Sequence, residues 1–316
     1  MIKYYVKKGT TLEMTDKACS NCWINIVPPF NMDRLEHLST ELEIPYSFIV
    51  DCIDQYERSR YEKEDDVRLI VINTPILNEG FDAEDEATYI TVPVGIILVK
   101  DIIVTVCSVN NPMIEWFEKN LLKNLSFEDR GMFVLRIFER NVHYFLYYLR
   151  EINKRISQIE KELNYSSRNA ELNKLLHLQK ALIYFVNDLR ANEMMQMKVH
   201  RTNFLEVKDN EDAMELFQDV MIDNSQALEM ANVYSNILGN MMGAFASIIS
   251  NNLGHVVNRL TAVTIALMMP TLIAGIYGMN IDLPFQHSPH SFLIVSLICI
   301  LSTVVLVYYF RVKKWL

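Results

Sequence analysis

The residues best equipped for chemistry are Gly278-Met279-Asn280, which stand at the end of a long uncharged run. A carboxamide oxygen beside exposed backbone carbonyls offers neutral oxygen donors. Such donors suit a small, hard cation that sheds its water reluctantly and is met with its hydration shell in place. Gly278 would let the backbone turn tightly after a helix, and the same tripeptide could equally be a plain C-cap with Asn280 in the left-handed conformation. Read backwards at helical spacing, Gly275, Thr271, Met268, Thr264, Leu260 and Val257 form a stripe that continues to Gly254. Its members are small, hydroxylated or apolar, and none is charged. Ordinary packing of an apolar helix would also use them.

Other candidate groups carry less. Cys19-Ser-Asn-Cys22 has the spacing of half a zinc site, but no second paired ligand set follows. His287 and His290 lie close together near the end of a short loop, where solvated polar residues are the simpler reading. The acidic stretch Asp82, Glu84, Asp85 and Glu86 reads as a solvated hairpin tip. No Gly-rich phosphate loop, Ser/His/Asp set or His-x-x-x-His pair stands out, so an enzyme is the least expected class, and no prosthetic group is expected. A formal net charge of -9 argues against nucleic acid as a partner, since phosphate binding needs a basic face. Five scattered cysteines argue against a disulfide framework. The opening MIKYYVKKGT lacks a secretory signal's apolar stretch, which places the bulk of the chain in a reducing cytosol.

The elements that must position the tripeptide begin with two uncharged stretches, Leu260 to Ile281 and Ser291 to Phe310. Each has the length a helix needs to cross a bilayer. Arg259 precedes the first, Arg311, Lys313 and Lys314 follow the second, and the intervening loop has neither Lys nor Arg. The positive-inside rule then puts both termini in the cytoplasm of a multi-pass protein of the plasma membrane. Tyr277, Phe285 and Phe292 on one side, with Tyr308, Tyr309 and Trp315 on the other, fit interfacial aromatic belts. A single pair of such helices cannot enclose water, so conduction would need several copies of the chain.

The polar remainder divides in two. Trp23 to Val27, Val67 to Asn73, Tyr89 to Val99 and Ile102 to Cys107 are β-type runs, and Met32 to Glu57 carries short-helix spacing, which together give an α/β domain. Long helices are expected from Asp129 through Leu163, from Glu171 to Met197 and from Asp212 into the first span. A helix running from Asp212 to Tyr277 would be about 100 Å long and would act as a stalk. The expected organisation is a cytoplasmic α/β domain over 1–128, antiparallel helices over 129–208, the stalk over 209–259, and a first transmembrane helix over 260–277. The loop follows over 278–290, a second transmembrane helix over 291–310 and a basic tail over 311–316.

The position of Gly278-Met279-Asn280, led in by Pro270-Thr-Leu-Ile-Ala-Gly-Ile-Tyr277 and followed by a second span and Lys313-Lys-Trp-Leu316, resembles the CorA-type divalent-cation transporters. The resemblance covers essentially the whole chain. It implies a homopentameric, funnel-shaped, channel-like transporter of Mg2+, with Co2+ or Ni2+ also passed, and the first span lining the pore. It implies an ion-selecting mouth at Gly278, Met279 and Asn280, a pore hydroxyl at Thr271, and a hydrophobic constriction at Met268, Leu260 and Val257 that could gate by excluding water. It further implies regulation by cytosolic Mg2+ bound between subunits at Asp219, with Asp223 one turn on and a partner acid among Asp82, Glu84 and Asp85. Where relatives often carry Asn and Asp at the inner end of the pore, this chain has Gly254 and Gly243, and Asp282 takes the place of a loop glutamate. A Zn2+ transporter of the same superfamily and a non-conducting, membrane-anchored sensor remain as alternatives.

Overall fold

A computed structural model describes residues 1–8, 11–78, 80, 87–119, 126–165, 169–281, 283–284 and 289–315. The chain forms two compact units, Met1–Asn240 and Met241–Leu316.

The first unit is built on a seven-stranded sheet. Its strands are β1 (Ile2–Lys8), β2 (Thr11–Thr15), β3 (Cys22–Ile26), β4 (Arg60–Glu64), β5 (Val67–Leu77), β6 (Tyr89–Val99) and β7 (Ile102–Cys107), in the order β2-β1-β3-β7-β6-β5-β4. Every pairing is antiparallel except β3 with β7. The sequence pattern predicts only the four apolar runs. β1, β2 and β4 escape it because their apolar residues alternate with Lys, Glu and Thr, and β2 and β4 are the half-exposed edges of the sheet.

Two short helices, α1 (Met32–Leu42) and α2 (Tyr46–Ile53), cover one face. Leu35, Leu38, Leu42, Phe48, Ile49 and Cys52 pack there on Ile24, Ile26, Leu69, Val71, Ile97, Val104 and Val106. Side chains alternate along a strand. Trp23 and Asn25 therefore point the other way, Trp23 against Phe127 and Phe133, and Asn25 to Glu118 on α3 (Pro112–Lys119). Glu118 also accepts from Lys3 Nζ at 2.9 and 3.0 Å and from the Tyr5 hydroxyl at 2.8 Å. Burial works against its charge, but these three donors together hold the carboxyl below the ordinary glutamate range.

Three long helices follow: α4 (Arg130–Tyr165), α5 (Asn169–Arg201) and α6 (Glu211–Tyr277). Side-chain caps set two of their starts. Asp129 Oδ1 accepts from the Met132 N–H at 2.9 Å, and Asn210 Oδ1 from the Ala213 N–H at 3.2 Å. Within the first unit, α6 buries Ala213, Phe217, Val220, Asn224, Ala227, Ala231 and Leu238, a stripe at steps of three, four and seven. Phe217 meets Phe138 of α4 and His200 of α5, and Asn224 Nδ2 donates to the Leu189 carbonyl at 3.0 Å.

The second unit holds the rest of α6 and α7 (Ser291–Val312). Both contain a stretch long and apolar enough to cross a membrane. α6 runs through Pro270 without ending, although proline leaves the Ala266 carbonyl without its helical donor. At the end of α7, Lys314 takes a φ of 57°, Trp315 N–H donates to the Phe310 carbonyl at 3.0 Å, and the two rings stack 5.6 Å apart. The chain thus closes in a left-handed stop with an aromatic clasp.

Candidate functional site

At 100° per residue, Val257, Leu260, Thr264, Met268, Thr271 and Gly275 fall within an arc of about 80° on α6. All six are exposed, with Leu260 at 66% and Met268 at 64%. Asn258, Ala262, Ile265, Ala266, Met269, Pro270, Ile273 and Tyr277 occupy the opposite arc, and each is buried or half-buried, while Arg259 and Ile276 in the same arc are exposed. The Pro270 carbonyl on that side accepts from Cys299 Sγ of α7 at 4.0 Å, so α7 covers the face turned away from the stripe. Long apolar side chains lie on both sides, with Ile265, Met269, Ile273 and Tyr277 beside the alanines and Pro270 on the covered one and Leu260 and Met268 among the threonines and Gly275 on the open one.

The hydroxyls of the open side are already committed as donors. Thr264 Oγ1 donates to the Leu260 carbonyl at 2.8 Å and Thr271 Oγ1 to the Leu267 carbonyl at 3.1 Å. Their oxygens keep lone pairs outward, so toward anything passing along the stripe they act as acceptors, as a cation's bound waters require.

At the end of α6, the Gly278 N–H donates to the Ala274 carbonyl at 2.9 Å and the Met279 N–H to the Ile276 carbonyl at 3.2 Å. Neither Gly278 nor Asn280 has a left-handed φ, contrary to the capping expectation. The helix winds on by one more hydrogen bond. A Cβ on Gly278 would lie 3.3 Å from the Ala274 carbonyl oxygen, a tight contact that a shift of a few tenths of an ångström relieves. Gly278, Met279 and Asn280 are all exposed, and the Tyr277 hydroxyl ties the loop back by donating to the Pro284 carbonyl at 3.3 Å. Toward the other end of the unit's helix, a Cβ on Gly254 or Gly243 would meet nothing within 4 Å.

Asp219 and Asp223 lie one turn apart on α6, both exposed, on the flank of its buried stripe. Asp82, Glu84 and Asp85, together with Asp282 and His287, lie outside the described residues. β5 and β6 do pair as an antiparallel hairpin around the acidic stretch. Cys22 is buried and Cys19 exposed, and no group of three or more metal-ligating side chains occurs among the described residues.

The family model for the CorA-like Mg2+ transporter protein matches residues 20–314. The chain belongs to the CorA family. Among curated CorA proteins, the cobalt/magnesium transport protein CorA of Methanocaldococcus jannaschii is 28% identical over 307 residues, covering 93% of this chain and 91% of that protein. The complete structure of the CorA magnesium transporter from the same organism superposes with a TM-score of 0.82 at 22% identity, over 100% of this chain and 99% of that one. The fold is also similar to the ZntB cytoplasmic domain from Vibrio parahaemolyticus, with a TM-score of 0.61 at 15% identity over 80% of this chain and 97% of that domain. The α/β domain, the long helix and the two C-terminal apolar helices are thus the CorA architecture.

One feature of this CorA chain had no sequence signal. Asn73, Asn141, Asn192 and Asp188 come from β5, α4 and α5 and join in one hydrogen-bonded group, with the three asparagines buried and Asp188 half-buried. Nothing in the spacing of these four residues along the chain announces it.

Proposed function

We propose that several copies of this chain, five by analogy with the family, surround the open stripe of α6 and pass hydrated Mg2+ into the cell, with Co2+ or Ni2+ as secondary cargo. The observation that carries the reading is the opposition on α6. The stripe on the face away from α7 is uncharged, sets Thr264, Thr271 and Gly275 among Val257, Leu260 and Met268, and in one chain is left exposed. A lone helix hairpin with that face toward lipid would gain nothing from its threonines or glycines, whereas a ring of copies would turn them toward a common axis.

In this reading the ion meets Asn280 amide and Gly278 backbone oxygens first, keeping its waters because it dehydrates reluctantly. Thr271 and Thr264 accept hydrogen bonds from those waters further along. Met268, Leu260 and Val257 form an apolar constriction that conducts only when wide enough to stay wet. With glycine at 243 and 254, no side chain holds an ion at the inner end. Asp219 and Asp223, brought against acids of a neighbouring copy, repel until Mg2+ enters, so high cytosolic Mg2+ holds the closed arrangement. The membrane is the plasma membrane, with both termini cytoplasmic.

Purified protein in liposomes tests this. Mg2+ uptake driven by membrane potential, without need of a proton gradient and reduced at least tenfold by Asn280→Ala, is the expected result. Proton-dependent Zn2+ movement with no Mg2+ flux would replace it with the zinc reading.

A further inference from the structure

A cleft of about 750 Å3 opens in the first unit, lined by Asn73, Asn78, Thr91, Tyr184, Asn187 and Asp188 among others. Asp188 of α5 is the group in it that calls for a partner. Its Oδ1 accepts from Asn73 Nδ2 at 3.0 Å, and its Oδ2 accepts from the Thr91 hydroxyl.

Asn73 is held in place. The Asn73 N–H donates to Asn192 Oδ1 at 3.1 Å, and the Asn73 carbonyl accepts from Asn192 Nδ2 at 2.9 Å and Asn141 Nδ2 at 3.1 Å. The Asn73 amide can only donate, so it fixes an acceptor oxygen of Asp188 at this point of the cleft.

Yet among the described residues Asp188 forms no ion pair. Burial pushes the carboxyl up, and only Thr91 and Asn73 pull against it. Glu57 also lines the cleft, accepting from Arg60 Nε at 2.8 Å, and the exposed Arg58 beside it forms no ion pair among the described residues. A partly desolvated carboxylate with no counter-charge is costly, and its cost falls when a cation enters.

We propose that this cleft binds one hydrated divalent cation within a single chain, its water shell hydrogen-bonded to Asp188 and to the carboxamides of Asn78 and Asn187. Six waters need roughly 180 Å3 at about 30 Å3 each, well inside the space present. One carboxylate with neutral oxygens is the kind of site that Mg2+ takes without shedding its shell. The site rests on the Mg2+ reading above and deepens it. It gives the cytoplasmic unit a second place to register the ion, separate from Asp219 and independent of contacts between copies.

The test is a count of bound Mn2+ by electron paramagnetic resonance on the full chain in detergent, alongside its Mg2+-dependent melting. Asp188→Asn is expected to remove one Mn2+ per chain. Ala191→Lys, which places a tethered ammonium one turn along the same wall of the cleft, is expected to remove the same ion and to raise the metal-free melting temperature. Asp219→Asn is expected to leave this ion in place, so loss of the inter-subunit site and loss of this one read differently, and neither reading needs transport. An unchanged Mn2+ count in both cleft variants overturns the proposal. So does protection of the wild type, lost in Asp188→Asn, by an organic diamine but not by Mg2+.

Discussion

Gly95 of β6 faces α2 at a distance that admits no side chain. A Cβ there would lie 2.0 Å from Cys52 Sγ, 2.7 Å from Cys52 Cβ and 3.7 Å from Val106 Cβ. Cys52 has no exposed surface, so its sulfur has nowhere open to swing, and turning it would in any case leave the 2.7 Å contact with Cβ. Relief requires α2 to lift from the sheet, opening the layer formed by Phe48, Ile49, Ile97 and Val106. Overpacking of this kind costs about 3 kcal/mol, the upper end of the usual range. For a unit of this size that is roughly 6–12 °C in melting temperature. The assay is thermal unfolding of the full-length protein in detergent, followed by tryptophan fluorescence. Cys52→Ala removes the sulfur and leaves the Cβ, so the double variant Gly95→Ala/Cys52→Ala should recover at least about 1 kcal/mol relative to additivity. Melting of Gly95→Ala within about 2 °C of the wild type, or strict additivity in the pair, would refute the packing of α2 on β6.

Glu118 gives a pH signature. Its folded pKa lies below the unfolded one, so its stabilisation is present above the ordinary carboxylate pKa of about 4.3 and is lost as pH falls through the folded value. Glu118→Gln should therefore lower the melting temperature at neutral pH and above and flatten its fall on the acid limb, so that the two proteins converge as pH drops. Gly278→Ala should fold and melt within about 1 kcal/mol of the wild type, since no left-handed φ is lost and a 3.3 Å contact relaxes by small shifts. Its defect should appear in flux, as a shifted mouth. Leu260→Asn and Met268→Asn, which place a hydrogen-bonding group on the open face, should keep the constriction wet and raise Mg2+ flux at high internal Mg2+ severalfold. Unchanged flux in both would move the gate elsewhere.

The long helices were legible because their signals are local. Asp129 and Asn210 sit as caps just before apolar periodicity begins, and two charge-free runs of spanning length have few other readings. The stripe from Val257 to Gly275 was legible for the same reason, since helical spacing alone puts its members on one arc. Ile2–Lys8 and the edge strands Thr11–Thr15 and Arg60–Glu64 were not, because their apolar residues are interleaved with polar or charged ones and they gain their place only by pairing with neighbours. The conformation of Gly278 was misjudged because a glycine after a helix admits two explanations, a left-handed turn or a close carbonyl, and composition does not separate them. The Asp188 group was invisible for a different reason. Its donors lie 115 and 97 residues away in the chain, and only the packing of α5 against β5 and β6 brings them together.

In the proposed channel one face of α6 lines water while the opposite face is packed. Single cysteines placed along α6 in a cysteine-free background, reacted with a membrane-impermeant thiol reagent in liposomes during Mg2+ flux, read it most directly. Substitutions at Val257, Leu260, Thr264, Met268, Thr271 and Gly275 are expected to react and block flux, while those at Ala262, Ala266 and Ile273 stay protected. Reaction at Ala262 and Ala266 with protection along the stripe would contradict it.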